Sequence, residues 1–184
     1  MCMRVLFLSP LLFSLFISPP LSNLPTPCRI TPANHPCRTL VESSETINGK
    51  PLTKIINETH QNPKYLPGIT LPSNITAIPD LLTACRDATL LVFVTPHQFV
   101  HSICQKLKSS SLTRNCKAIS LIKGVDVREK GMKLMSQIIS HDLGITCAVL
   151  SGANIASEIA LEQFSESTIG TLLSSPLSKL ICRI

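Results

Sequence analysis

The sequence predicts an α/β protein built on a parallel sheet. Three apolar runs, Leu90–Val94, Ala118–Ile122 and Cys147–Leu150, have the length and composition of strands that are buried on both faces. Segments with helical spacing alternate with these runs, and such alternation is typical of parallel βαβ units with right-handed crossovers. The aromatic content of 4%, against a hydrophobic content of 44%, indicates the aliphatic core that helix-covered sheets usually have.

The other elements follow from local spacing. Leu52, Ile55 and Ile56 repeat at helical intervals, so a helix is expected from Leu52 to the turn-rich stretch that begins at Asn62. Further along, we expect a strand at Ile75–Ile78, helices at Asp80–Arg86, His97–Leu107 and Glu129–Ser140, and a last helix that starts near Ala153.

Polar residues follow each of the three apolar runs. They are Thr95–Phe99, Lys123 and Asn154–Ala156. In open α/β sheets, ligands bind outside the carboxyl ends of the strands, so these positions are the candidate functional residues.

Composition argues against two other kinds of site. The formal charge of +6 comes from dispersed lysines and arginines, and only 15% of residues are charged, so no basic stripe indicates a nucleic-acid partner. The eight cysteines are scattered without a Cys-x-x-Cys pair. Because Cys104 falls in a predicted helix and Cys147 in a predicted strand, we interpret them as buried free thiols and expect no metal site.

The first 44 residues differ in character from the rest. The apolar run from Val5 to Ile17 is too short for a membrane span but is typical of a secretory signal, and the segment Pro19–Pro36 reads as an unstructured linker. A working signal would make Asn57 and Asn74 acceptors for glycans. The competing interpretation, which we favour, is that these residues come from a misassigned exon.

Several motifs carry a resemblance to a known family. Pro96–Phe99, Ser120–Gly124 and Ser151–Ala156, preceded by Asn48–Asn57 and His60–Gly68, resemble in order and spacing the eukaryotic NAD-dependent glycerol-3-phosphate dehydrogenases. The resemblance covers residues 45–170. It therefore predicts a leader at 1–44, part of the family's NAD-binding domain at 45–170 and a divergent tail at 171–184.

The resemblance implies a partial Rossmann-type fold, a doubly wound parallel sheet that lacks its first glycine-rich βαβ unit. The fingerprint of that unit needs glycines two and then three residues apart, and no two of the seven glycines are two apart. We therefore expect the first strand to be absent, which would leave a neighbouring strand edge unpaired.

The same resemblance assigns roles to the candidate residues. Phe99 and Ala156 would contact the NAD cofactor, and Lys123 and Asn154 the substrate, glycerol 3-phosphate or dihydroxyacetone phosphate. More ordinary roles are a Phe99 that anchors its own helix, a solvated Lys123 and an Asn154 that caps a helix. His97 would begin the helix after Pro96 rather than act in catalysis.

The family's principal catalytic lysine belongs to a C-terminal helical domain, so the resemblance supplies no catalytic residue here. We expect a cytosolic dehydrogenase by family, a homodimer at full length, with the 184 residues inactive by themselves. The alternative is a non-catalytic binding or interaction protein, secreted if the apolar run is a functional signal.

Overall fold

The structure, a computed structural model, describes residues 5–7, 37–40, 45–108, 112, 115–127, 131–153, 155–161, 163–164 and 167–170. The strands are β1 (Val5–Phe7), β2 (Cys37–Leu40), β3 (Thr46–Ile47), β4 (Lys50–Pro51), β5 (Gln61–Asn62), β6 (Leu66–Thr70), β7 (Ile75–Ile78), β8 (Leu90–Phe93), β9 (Lys117–Ser120), β10 (Val125–Asp126), β11 (Lys133–Leu134), β12 (Cys147–Gly152) and β13 (Ser167–Gly170). The helices are α1 (Leu52–Thr59), α2 (Leu81–Cys85), α3 (Val100–Lys108), α4 (Met135–Leu143) and α5 (Ala156–Ala160), with a 3₁₀ turn at His97–Phe99.

A seven-stranded sheet organises the fold, in the order β13-β12-β9-β8-β1-β2-β7. All neighbouring pairs are parallel except β12 and β13, which are antiparallel. Counted along the chain, the six parallel strands have the order 3-2-1-4-5-6 of a doubly wound dinucleotide-binding sheet. The predicted Rossmann-type α/β fold is thus confirmed.

The first strand of that sheet is present, and the expectation that it is missing was wrong. Val5 to Phe7 pair with Cys37 to Thr39 on one side and with Leu90 to Val92 on the other. The segment read as a signal-like run supplies β1 because the apolar residues at its start suit a central parallel strand as well as they suit a signal. No strand edge is therefore left open between β2 and β8.

The sheet separates two hydrophobic layers. Leu90 and Val92 pack into the layer that contains α1, whereas Leu91 and Phe93 pack into the layer of α2, α3 and α4. Alternate side chains of a strand point to opposite faces, and all four residues of β8 are buried, so β8 is a core strand on both sides. This double burial fixes where the strand ends.

The predicted helix Glu129–Ser140 was wrong for residues 131–134, which are not helical. Val125–Asp126 and Lys133–Leu134 form the antiparallel hairpin β10–β11, and α4 begins only at Met135. Gly131 has a φ of 104°, which side-chain-bearing residues rarely adopt and which helices exclude. Helical spacing in the sequence could not reveal that conformation.

Two polar contacts hold peripheral elements to the sheet. The Asn57 amide donates to the Ala77 carbonyl oxygen at 3.0 Å and accepts from the Ala77 N–H at 2.7 Å, which ties α1 to β7. The Arg38 guanidinium donates to the carbonyl oxygens of Ala84, at 3.3 Å, and Arg86, at 2.6 Å, at the end of α2. A glycan on the Asn57 nitrogen would have to fit beside this partly buried α1–β7 contact.

Several expectations concern residues outside the described ranges. They are the linker Pro19–Pro36, the tail 171–184 and Asn154. None of the helices in the described ranges has the length and hydropathy needed to cross a bilayer.

Truncation tests the role of β1. A chain that starts at Leu8 should lose cooperative unfolding and elute as aggregate, because removing β1 exposes the edges of β2 and β8 together. A chain that starts at Val5, which keeps β1, is the matched control and should unfold like the full chain. Urea unfolding and size-exclusion chromatography provide the comparison. Equal behaviour of the two truncated chains would contradict the central position of β1.

Thiol alkylation tests the burial of the cysteines. The described cysteines are free, and burial raises the thiol pKa of Cys37, Cys85, Cys104 and Cys147 to about 12 and that of Cys116 to about 11. Because the thiolate is the reactive form, a raised pKa keeps these groups protonated and inert at about pH 8. Iodoacetamide should modify none of the five in the native chain and all five in urea, as read by peptide mass mapping. Native labelling at any of them would be the contrary result.

Candidate functional site

The candidate site lies at the carboxyl edge of β8, β9 and β12. These three strands are neighbours and parallel, and the residue opposite Phe93 of β8 is Ser120 of β9. Parallel strands of matched register bring their following loops to the same edge of the sheet. The strand order reverses between β1 and β8, the first and fourth of the parallel strands, which is where such sheets open a crevice.

Phe99 follows β8 and closes the 3₁₀ turn before α3. Its N–H donates to the Pro96 carbonyl oxygen at 3.0 Å, and Pro96 supplies a fixed φ at the start of the turn. The phenyl ring is 46% exposed, whereas the next residue, Val100, is fully buried. Since Val100 anchors the helix to the core, the Phe99 ring remains available for a ligand.

Lys123 follows β9 in a loop whose backbone is held at its start. The Leu121 N–H donates to the Phe93 carbonyl oxygen at 2.9 Å, and the Ile122 N–H donates to Ser120 Oγ at 3.3 Å. Gly124 has a φ of 121°, so a residue without a side chain is required directly after the lysine. Lys123 is exposed, and within the described ranges its ammonium has no ion pair.

Ala156 is the first residue of α5, after β12. Ile155 is the N-cap of this helix, so the helix starts three residues later than the sequence suggested. Ala156 is half-buried and packs with Ala160 against the layer of α1. The structure therefore brings Phe99, Lys123 and Ala156 to one sheet edge, whereas Asn154 lies outside the described residues.

Thr95 adds a polar atom that points to a ligand. Its hydroxyl oxygen is buried and has no hydrogen-bond partner among the described residues. A buried hydroxyl without a partner is costly, and such groups are explained when a bound molecule completes the hydrogen bond. Thr95 stood in the initial group of candidates because it follows β8, but the sequence could not show that its hydroxyl is unpaired.

A second set of polar side chains was missed entirely. His101 Nε2 lies 3.1 Å from Asp126 Oδ2, and His101 Nδ1 lies 3.3 Å from Asp142 Oδ2. These residues come from α3, β10 and α4, and no sequence spacing predicts their meeting. The described residues hold no group of three or more His, Cys, Asp or Glu arranged to bind a metal ion.

Comparisons with known proteins give the relationship of the chain. The family model described as "NAD-dependent glycerol-3-phosphate dehydrogenase N-terminus" matches residues 33–174. The human cytoplasmic glycerol-3-phosphate dehydrogenase [NAD(+)] is 56% identical over 126 residues, which are 68% of this chain and 36% of the human one. The chloroplastic enzyme 1 of Arabidopsis thaliana is 54% identical over 67% of this chain and 30% of its own.

Solved structures agree. The glycerol-3-phosphate dehydrogenase of Saccharomyces cerevisiae superposes with a TM-score of 0.77 and 38% identity, over 95% of this chain and 48% of the yeast chain. That of Plasmodium falciparum has a TM-score of 0.77 at 32% identity, over 98% of this chain and 48% of its own. The chain spans little more than a third of the curated human relative. It belongs to the NAD-dependent glycerol-3-phosphate dehydrogenase family.

Proposed function

We propose that this chain forms the nicotinamide side of an NAD site and part of a glycerol phosphate site. The observation that carries the proposal is the convergence of Phe99, Lys123 and Ala156 after three adjacent parallel strands. The reaction is that of the family, oxidation of sn-glycerol 3-phosphate to dihydroxyacetone phosphate with NAD, and its reverse. Because the chain spans 36% of the human relative, turnover is assigned to the whole family protein and not to these residues alone.

Each residue has a distinct task in this proposal. The Phe99 ring stacks beside the cofactor, and the backbone of Ala156 contacts it. The Lys123 ammonium holds the substrate and favours negative charge that develops on the reacting hydroxyl oxygen. Asn154 is the second substrate contact. The cofactor, when bound, accepts the hydride from the substrate carbon.

The residues present fit one end of the cofactor better than the other. The unpaired Thr95 hydroxyl supplies a hydrogen-bonding group at the sheet edge, where a polar ligand would satisfy it. The first glycine of the sequence is Gly49, so no glycine-rich turn follows β1, the strand after which the pyrophosphate normally binds. We therefore assign the nicotinamide and substrate contacts to the described residues and leave the pyrophosphate unassigned.

Compartment and assembly belong to the same proposal. A cytosolic homodimer is the arrangement that the family resemblance favours, and the human relative is named as cytoplasmic. The alternative, a secreted non-catalytic binding protein, requires the apolar run that contains β1 to act as a removable signal. That role conflicts with the pairing of β1 inside the sheet.

Substitution of Lys123 tests the substrate contact. We expect Lys123→Met to weaken binding of glycerol 3-phosphate, measured by calorimetry in the presence of NADH, by about 10- to 100-fold, because a charge-assisted contact is lost. Lys54→Met is the control, since Lys54 lies exposed on α1, where its ammonium pairs with Glu58 at 3.8 Å. Equal binding by wild type and Lys123→Met would sink the assigned role.

Substitution of Thr95 separates ligand binding from stability. Thr95→Val keeps the shape and removes the unpaired hydroxyl, so the free energy of unfolding should rise by about 1 kcal/mol while NADH binding weakens. Thr59→Val is the control, because the Thr59 hydroxyl already donates to the Ile55 carbonyl oxygen at 2.8 Å and lies away from the site. Urea unfolding and NADH fluorescence titration give the two quantities. A less stable Thr95→Val with unchanged NADH binding would show that the hydroxyl serves the fold.

A further inference from the structure

An alternating row of acidic and imidazole side chains crosses the face that carries α3 and α4. Its members are Asp126, His101, Asp142 and His141, in that order. His101 lies 3.1 Å from Asp126 and 3.3 Å from Asp142, and His141 Nδ1 lies 3.1 Å from Asp142 Oδ1. His101 has a carboxylate oxygen within hydrogen-bonding distance of each of its two ring nitrogens.

The donors and acceptors of this row limit which hydrogen bonds His101 can make. A carboxylate only accepts, and a neutral imidazole can donate from one nitrogen alone, whereas the imidazolium donates from both. The two-sided contact of His101 is therefore complete only when the ring is charged. Loss of one ring proton removes the donor to one of the two carboxylates.

The surroundings of His101 define what else acts on it. The side chains of Asp126 and Asp142 are 9% and 24% exposed, so both carboxylates are largely withdrawn from water. Lys133, opposite Asp126 in the β10–β11 hairpin, and His141 line the same cavity, which has a volume of about 450 Å³. Among the described residues that line the cavity, these four are the titratable side chains around His101, and the two carboxylates are in contact with it.

The row joins the two segments on which the candidate site depends. His101 lies two residues after Phe99, in the first turn of α3. Asp126 lies three residues after Lys123, at the end of a loop whose start is held by the Leu121 and Ile122 hydrogen bonds. The His101–Asp126 contact ties the end of the Lys123 loop to α3.

We propose that His101 is a positioning residue that holds the Lys123 loop against α3 through Asp126, with Asp142 fixing its ring. The inference rests on the proposed function, because it gives Lys123 its role. The His101–Asp126 contact keeps Lys123 at the sheet edge beside Phe99. His101 does not touch substrate or cofactor in this scheme, so it acts only through the placement of the loop.

Backbone hydrogen exchange and ligand binding in the full chain test the proposal. His101→Gln should accelerate amide exchange in the β10–β11 hairpin by about tenfold and weaken glycerol 3-phosphate binding several-fold, since a charge-assisted contact is lost. His141→Gln is the matched control, because His141 also contacts Asp142 but is 87% exposed and is not paired with Asp126. It should change neither quantity.

Rescue by a second cation gives a readout that a merely structural histidine would not. His101→Arg keeps a charged group with several donors, so it should bring hairpin exchange and glycerol 3-phosphate binding back toward the wild-type values, whereas His101→Gln should not.

The outcomes separate the two proposals. Unchanged exchange in His101→Gln, or equal effects of His101→Gln and His141→Gln, would overturn the positioning role. Faster exchange with unchanged glycerol 3-phosphate affinity would also overturn it, because the loop would then not matter for Lys123. If the wild type binds no glycerol 3-phosphate, the proposed function fails, and the positioning role fails with it. In that case, faster exchange in His101→Gln would show that His101 makes a structural contact only.

Discussion

The backbone pairing of β1 is the interaction on which the rest of the structure depends. β1 is hydrogen-bonded to β2 on one side and to β8 on the other, and no other strand in the described ranges connects the two halves of the sheet. Both hydrophobic layers include residues from each half, such as Cys37 and Leu90 in the layer of α1. The two halves of the sheet are therefore joined through three residues, Val5 to Phe7.

The residues inside β8 and β9 stabilise the fold, whereas the residues that follow these strands are the candidates for ligand contact. The interiors of β8 and β9 are almost wholly buried, and the groups that follow them are exposed or unpaired. Burial fixes the strand ends, and hydrogen bonds at Leu121 and Phe99 then fix the first residues of each loop. The candidate residues can thus be held in place by neighbours that never meet a ligand.

The sequence predicted the elements whose signal is local. β8, β9 and β12 lie in predominantly apolar segments, and α1 has clear helical spacing, so each was found within a few residues of its bounds. β1 was missed because its apolar run fits both a secretory signal and a buried strand. Only its pairing with β2 and β8 distinguishes the two. The hairpin β10–β11 was missed because it depends on one glycine conformation.

The site shows the same division. Positions that follow a strand could be predicted to lie at the sheet edge, which located Thr95, Phe99 and Lys123 before their surroundings were known. The contact between His101 and Asp126 spans 25 residues and joins a helix to a hairpin that was itself not expected. Unpaired atoms such as the Thr95 hydroxyl are properties of packing, so no sequence pattern marks them.

The position of β1 also has a consequence for synthesis of the chain. β1 is translated before both of its partners, and one of them, β8, is translated only after α2. Contacts between residues far apart in the sequence form late, so β1 cannot pair with both β2 and β8 until the chain has been synthesised past β8. During that interval the nascent apolar segment is available to chaperones and to the targeting machinery, and its fate depends on how fast β8 follows.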